Sequence, residues 1–303
     1  MSSKSISVVI PLYNHASYIS AALYSAVNQT RKPREIVVLD DGSQDHSPEI
    51  MEAIASIRPE IRFVRHKNRG AHNTINAGIH MSDSDYIAIL NSDDIFEPTR
   101  LEECCAALDT DPELQLVTTR LVSINSDGQS IPNPWYDSAL GFHKVCPDLD
   151  TTLFNGNIFV TTSNIIARRN LFYDTGFFAD LRYAHDLEFF LRLLLYRKKL
   201  AFIERPLLRY RLHSTNTISE GAFKVKIEWA ACIAFYLSQH WSGPGAMSDK
   251  DHVLRQMDVL RRHNLGDLVM LFVTYFRENR ITSLERNTFK TDSKFMSIVE
   301  ALV

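Results

Sequence analysis

Between residues 6 and 90, short and almost wholly apolar runs alternate with stretches of helical spacing, and this alternation limits the folds open to the chain. Ile6–Leu12 is β-branched, and residues 36–39 and 86–90 repeat the type, each run bounded by turn residues. Runs this continuous suit strands covered on both faces. Ile19, Ala22, Leu23, Ala26 and Val27 fall at i, i+3, i+4, i+7 and i+8, along one face of a helix. Ser47-Pro48 predicts a cap followed by proline at the first helical position, opening a helix with Ile50, Ile54 and Ile57 on one side. Strand, helix, strand, helix, strand is the order of an α/β fold whose central sheet is mostly parallel, with right-handed crossovers.

Ligands of such sheets bind beyond the carboxyl ends of the strands. Polar, turn-rich clusters follow there: Pro11-Leu12-Tyr13-Asn14, Asp40-Asp41-Gly42-Ser43 and Asn91-Ser92-Asp93-Asp94. Further on, residues 116–124 and 161–167 read as added strands, and residues 185–196 as a helix with Leu187, Phe190, Leu191 and Leu194 on one stripe. From Gly221 onward the spacing of Phe223, Ile227, Ala230, Ala234, Leu237 and Trp241 is helical.

Composition excludes several classes. Hydrophobic residues make up 45% of the 303 and charged residues 23%, which rules out a disordered chain. A formal charge of −3 is too balanced for nucleic acid to be held by bulk positive charge, so no nucleic-acid partner is expected. Cys104, Cys105, Cys146 and Cys232 form no C-x-x-C pair, as in a reducing compartment. The start of the chain is unlike a signal peptide. The longest apolar stretch, residues 268–276, is far short of the ~20 residues of a spanning helix. A cytoplasmic protein without a transmembrane segment is expected.

Asp93 and Asp94, at a strand end, read either as helix-capping acids or as ligands of Mg²⁺ or Mn²⁺ shared with substrate phosphates. The Asp40-Asp41-Gly42-Ser43 cluster is either a plain turn or an acceptor for a nucleobase; the two acidic turns together suggest a nucleotide diphosphate site. At the start of the 185–196 helix, Asp186 is either a partner of the helix dipole or a general base. Glu188 and Arg192, at i and i+4, read as an exposed ion pair. Arg209, Arg211 and His213 alternate along a strand-like segment and are candidates for holding a phosphate.

In their order along residues 5–219, these motifs resemble family 2 glycosyltransferases of GT-A fold. The likeness also takes in Thr162-Ser163-Asn164, Arg168-Arg169, Gly176-Phe177-Phe178, His185-Asp186 and Tyr210-Arg211-Leu212-His213. It implies a GT-A catalytic domain over 1–219, its mostly parallel central sheet flanked by helices, and a C-terminal helical extension over 220–303. Pro11 and Tyr13 would border the nucleotide, Asp41 would bind its base, and Asp93 and Asp94 would form the metal and ribose motif, with a divalent cation, Mg²⁺ or Mn²⁺, as cofactor. Asp186 would be the catalytic base, and Arg211 and His213 would lie near the diphosphate. The chain departs from the family's pattern at Asn91, where the metal motif usually begins with Asp, and at His185, where an acid commonly precedes the base.

The implied activity is transfer of one sugar per encounter, with inversion, from a nucleotide-diphosphate donor, UDP first, to a hydroxyl of a saccharide or lipid-linked acceptor in surface polysaccharide synthesis. The alternative is a catalytically idle nucleotide-sugar-binding or scaffolding protein of the same fold. A dinucleotide-dependent oxidoreductase would need G-x-G-x-x-G after the first strand, where this chain has Pro11-Leu12-Tyr13-Asn14. The C-terminal helices are expected to pack as core or to form a homodimer. Peripheral contact with the inner membrane face, through residues 265–276, is the other reading.

Overall fold

The computed structural model describes residues 4–214, 216, 221–241, 249–285 and 288–302. The boundary expected between residues 219 and 220 lies outside them. Two compact units emerge, each assembled from separate stretches: Met1–Pro132, Phe159–Phe177 and Lys198–His213 in one, Asn133–Ile158, Phe178–Arg197 and Ser214–Val303 in the other.

The first unit carries the strands β1 (Ile6–Leu12), β2 (Glu35–Asp40), β3 (Ile61–Arg65), β4 (Tyr86–Ile89), β5 (Ile95–Phe96), β6 (Leu114–Ile124), β7 (Ile166–Arg168) and β8 (Lys199–Arg211). Among the described residues they form one eight-stranded sheet in the order β3-β2-β1-β4-β7-β6-β8-β5. Pairing is parallel across β3-β2-β1-β4 and between β6 and β8, and antiparallel where β7 joins β4 to β6 and where β5 meets β8. The expected α/β architecture with a largely parallel sheet is present. β1 and β4 are buried along their whole lengths, as their unbroken apolar runs require.

Helices α1 (Ile19–Val27), α2 (Ser47–Ala55), α3 (Ala71–Met81), α4 (Arg100–Thr110) and α7 (Arg169–Thr175) belong to this unit. α1 carries the chain from β1 out to β2, α2 from β2 to β3, and α3 back past β1 to β4. α3 packs close because of Gly78: a Cβ there would stand 2.3 Å from Val9 Cγ1 and 3.0 Å from Leu39 Cδ1. α1 buries the expected Ile19, Ala22, Leu23 and Ala26.

α2 differs from expectation. Its buried residues are Ser47, Pro48 and Met51, while Ile57 is 77% exposed. Ser47 is not the cap but the first helical residue: its N–H donates to Asp45 Oδ1 and its Oγ accepts from the His15 N–H. Asp45, two residues earlier, takes the orphan donor.

The order of β1, β2 and β4 makes a switch point. From β1 the chain moves outward to β2 and β3, then returns to place β4 on the other side of β1. The β1–β2 ladder runs on to Leu12 and Asp40, but the β1–β4 ladder ends at Val9 and Ile89. Pro11, which has no N–H to give, stands where the β4 ladder has stopped. The two strands part there, at the kind of place where open α/β sheets hold ligands.

The second unit is helical: α5 (Pro134–Val145), α6 (Leu149–Asn155), α8 (His185–Leu195), α9 (Ala222–His240), α10 (Lys250–Arg262), α11 (Gly266–Glu278) and α12 (Ser293–Ala301). α9 packs on α8 and α11. Leu268, Val269, Phe272, Val273 and Phe276 of the longest apolar stretch are buried in this unit. Among the described residues no helix is long and apolar enough to cross a membrane. Buried Asp150 ties α6 to the C-terminal helices, accepting from Tyr236 Oη and Gln256 Nε2 and pairing with His252 Nε2, all at 2.9 Å.

The helix expected over 185–196 is α8, buried on more than one stripe. Residues 186–193 are all buried, Glu188 and Arg192 included. That pair is therefore not exposed: Arg192 Nε and Nη2 donate to the two oxygens of Glu188 at 2.9 and 3.0 Å. A helix enclosed all round has no solvated face on which to put its charges.

Candidate active site

In the first unit, the polar turns after β1, β2 and β4 meet the end of β8 at the carboxyl rim of the sheet. Asp93 and Asp94 follow β4. β5, immediately after them, pairs antiparallel with β8, with Ile95 opposite Arg209, and so brings Arg211 and His213 back over the turn. His213 Nε2 lies 3.0 Å from Asp93 Oδ2, and His15 Nε2 lies 4.0 Å from the same oxygen. His15 Nδ1 bonds with Ser92 Oγ at 2.8 Å, which aims its other nitrogen at Asp93. The two imidazoles meet edge to face, 5.6 Å between ring centres, the Tyr18 ring lies against both, and Arg211 lies 4.7 Å over the Tyr18 ring.

Asp94 has different surroundings. It is fully buried, one oxygen accepting from Ser163 Oγ at 2.6 Å and the other from the Arg211 N–H at 2.9 Å. Burial, with Asp93 adjacent, pushes its carboxyl well above the ordinary value. Burial acts on Asp93 in the same sense, but the bond from His213 and the charges of His15 and His213 outweigh it, so that carboxyl stays low and ionised. Burial also holds the His15 imidazole below its usual value.

Arg211 is nearly enclosed. Its Nε donates to Asp93 O, and its Nη1 to Asn125 O and Ser126 O, at 2.7 to 2.9 Å. Arg209 donates to Glu97 at 2.5 Å instead. The motif's unusual first residue has a local explanation: Asn91 Nδ2 donates to Thr161 Oγ1 while its Oδ1 accepts from Thr162 Oγ1. An aspartate cannot do both. Behind them the buried Arg100 guanidinium donates to Ser163 O and Asn164 Oδ1.

Pro11 is buried at the end of β1, and Tyr13 is 44% exposed on the rim. Asp41 is tied to β1 by its own N–H, which donates to Leu12 O, and its carboxylate accepts the N–H groups of Arg69 and Gly70 at 2.8 and 3.0 Å. Gly42 has φ 79°, and a Cβ on it would stand 2.9 Å from Asn68 N, so the turn admits only glycine.

His15, Asp93 and His213 offer metal-ligating atoms that all lie within 4.8 Å of one another. Two imidazoles and one ionised carboxylate, with the second nitrogen of His15 already engaged, form a donor set that fits a divalent cation. Sequence reasoning missed His15; its only signal was its place one residue past the turn that follows β1.

Asp186 belongs to the second unit, on the first turn of α8. Its Oδ1 accepts from the Leu187 N–H at 2.8 Å and its Oδ2 from Asn157 Nδ2 at 3.0 Å. Burial raises the carboxyl to about 7, the two donors pulling the other way. Such a group exchanges its proton near neutral pH, which suits acid–base chemistry. Asn157 and Glu228, which surround it, carried no motif by which sequence could single them out.

The family model described as Glycosyl transferase family 2 matches residues 7–176, more than half of the chain. Over 128 residues the chain is 34% identical to chondroitin synthase of Escherichia coli and to hyaluronan synthase of Pasteurella multocida, which covers 42% of this chain but only 19% and 13% of those proteins. The chain thus spans less than a fifth of the length of these relatives. Its fold is similar to the solved structure of S. aureus TarS 1-349 in complex with UDP-GlcNAc, with TM-score 0.59 at 17% identity, over 89% of this chain and 82% of that one.

Proposed function

This chain belongs to glycosyl transferase family 2 and is a glycosyltransferase, and we propose that it inverts a sugar's anomeric centre in moving it from a UDP-linked donor to a hydroxyl of a saccharide or glycolipid. The observation that carries the proposal is the His15, Asp93 and His213 cluster at the switch point between β1 and β4. The UDP-GlcNAc in the solved TarS structure supports the choice of nucleotide. The matches to chondroitin and hyaluronan synthases support a saccharide acceptor in polysaccharide assembly. We take the motif-bearing residues 1–219 as the catalytic domain and 220–303 as the extension that completes it.

In this reading Tyr13 and Pro11 flank the nucleotide, and Asp41, its carboxylate fixed by two backbone amides, offers its remaining lone pairs to N–H groups of the base. Asp93, His15 and His213 would hold the divalent cation, Mn²⁺ or Mg²⁺. When bound, the cation supplies Lewis-acid stabilisation of the negative charge on the leaving diphosphate. Asp94 shares the motif by holding the turn to Arg211 and Ser163, and Arg211 keeps the 125–126 loop in place beside it. Asp186 takes the proton of the acceptor hydroxyl as it attacks the anomeric carbon from the face opposite the leaving group, which inverts the configuration.

Thermal-shift measurements with UDP, GDP, dTDP and CMP, each with and without Mn²⁺, test the donor, because a ligand of the folded state raises Tm. UDP with Mn²⁺ is expected to give the largest shift. A larger shift from another nucleotide replaces UDP.

A further inference from the structure

Glu228 lies on α9, outside every motif, and is 1% exposed. Its Oε1 accepts the Arg182 N–H at 3.0 Å, and its Oε2 accepts the N–H groups of Tyr183 and Ala184 at 2.6 and 3.0 Å. These are the last three amides before α8. Ala184 is the cap residue and has no polar side chain, and a carboxylate 44 residues away holds its N–H and the two before it, fixing the backbone that leads into the helix. One turn along α9, the Cys232 thiol donates to Ala184 O at 3.6 Å. Asp186 is the second residue of the helix begun in this way.

We propose that Glu228 is a positioning residue for Asp186: it fixes the backbone from which α8 starts, and its buried charge is one of those that act on Asp186 when it gives up or takes a proton. The inference rests on the reading of Asp186 as the base.

The charged surroundings support it. On α8 itself, Glu188 is paired with Arg192, and His185 Nδ1 bonds with Leu181 O. On α6, Asp150 is engaged by Tyr236, His252 and Gln256. From the 3₁₀ turn Thr288–Thr291, Lys290 pairs with Glu228, and Arg182 heads the capped loop. Burial is the main cause of the raised Asp186 carboxyl, and the nearby Glu228 charge adds to it. Removing that charge therefore makes Asp186 easier to ionise, and removing Lys290 makes it harder.

The test uses the full chain and the pH dependence of kcat. Glu228→Gln keeps the shape and one acceptor but loses the charge, and it is expected to move the acid limb down by about half a pH unit or more. Plateau kcat should fall about tenfold while donor KM stays within about twofold. Lys290→Met, at a half-exposed position, is expected to move the limb upward. A merely structural role would lower Tm and leave the limb in place.

If Asp186→Asn abolishes transfer while both variants, folded by circular dichroism, keep the wild-type limb, the positioning role is overturned and the base stands. If Asp186→Asn retains full transfer, the base reading itself fails. Should Glu228→Gln not fold, the direction of the Lys290→Met shift decides alone, and an unmoved limb counts against the proposal.

Discussion

Asp93 and Asp94 share a peptide bond, yet their carboxyls are pushed in opposite directions. Asp93 has two imidazoles beside it, whereas Asp94 has a hydroxyl, one backbone amide and its own charged neighbour. Sequence showed the pair but not this division, because the partners arrive from His15, Ser163, Arg211 and His213. Asp186 is raised to about 7, so kcat is expected to rise with pH through about 7 as the base ionises. Asp186→Asn should lower turnover by about 10²- to 10⁴-fold and leave donor affinity, read by calorimetry, within about twofold. The same burial costs stability. The folded state holds the Asp186 proton more tightly than the unfolded chain, a contribution complete below about pH 4 and lost as pH rises through about 7. The Asn variant is therefore expected to gain Tm over wild type at pH 8 and to gain less at pH 5.

At the scale of elements, legibility followed burial symmetry. β1, β2 and β4 could be read from unbroken apolar runs because both their faces are covered, while β3, an edge strand with a largely solvated face, carries only Ile61 fully buried. α5 and α6 had no stripe distinct enough to separate them from the turn-rich stretch before them. α8 misled in a different way: the i, i+4 spacing of Glu188 and Arg192 is the same on an exposed helix and an enclosed one, and the tertiary structure encloses it. Each single variant, Glu188→Ala or Arg192→Ala, strands a buried charge and should cost about 3 to 5 kcal/mol in urea unfolding. A Glu188→Leu/Arg192→Met double variant is expected to recover much of that loss, and additive losses would contradict the pairing.

At the scale of the whole molecule, the chain passes between its two compact units several times, and the second unit is completed only by residues after 214. Asp150 on α6 and the amides before α8 find their partners on α9 and α10. A 1–219 fragment keeps every motif but leaves those groups buried or solvated without partners, so it is expected to melt well below the full chain, or to be insoluble, in differential scanning fluorimetry. A fragment as stable as the whole would show the extension to be dispensable. The family-level architecture was visible in motif order, whereas this interleaving was not, since no composition shift or linker marks it. The cation-linked nucleotide site is tested most directly by isothermal titration of UDP into the full chain, with and without Mn²⁺, on wild type and Asp93→Ala. Binding that needs Mn²⁺ in the wild type and loses that dependence in Asp93→Ala is expected; equal affinity with and without the ion, or an unaffected variant, would contradict it.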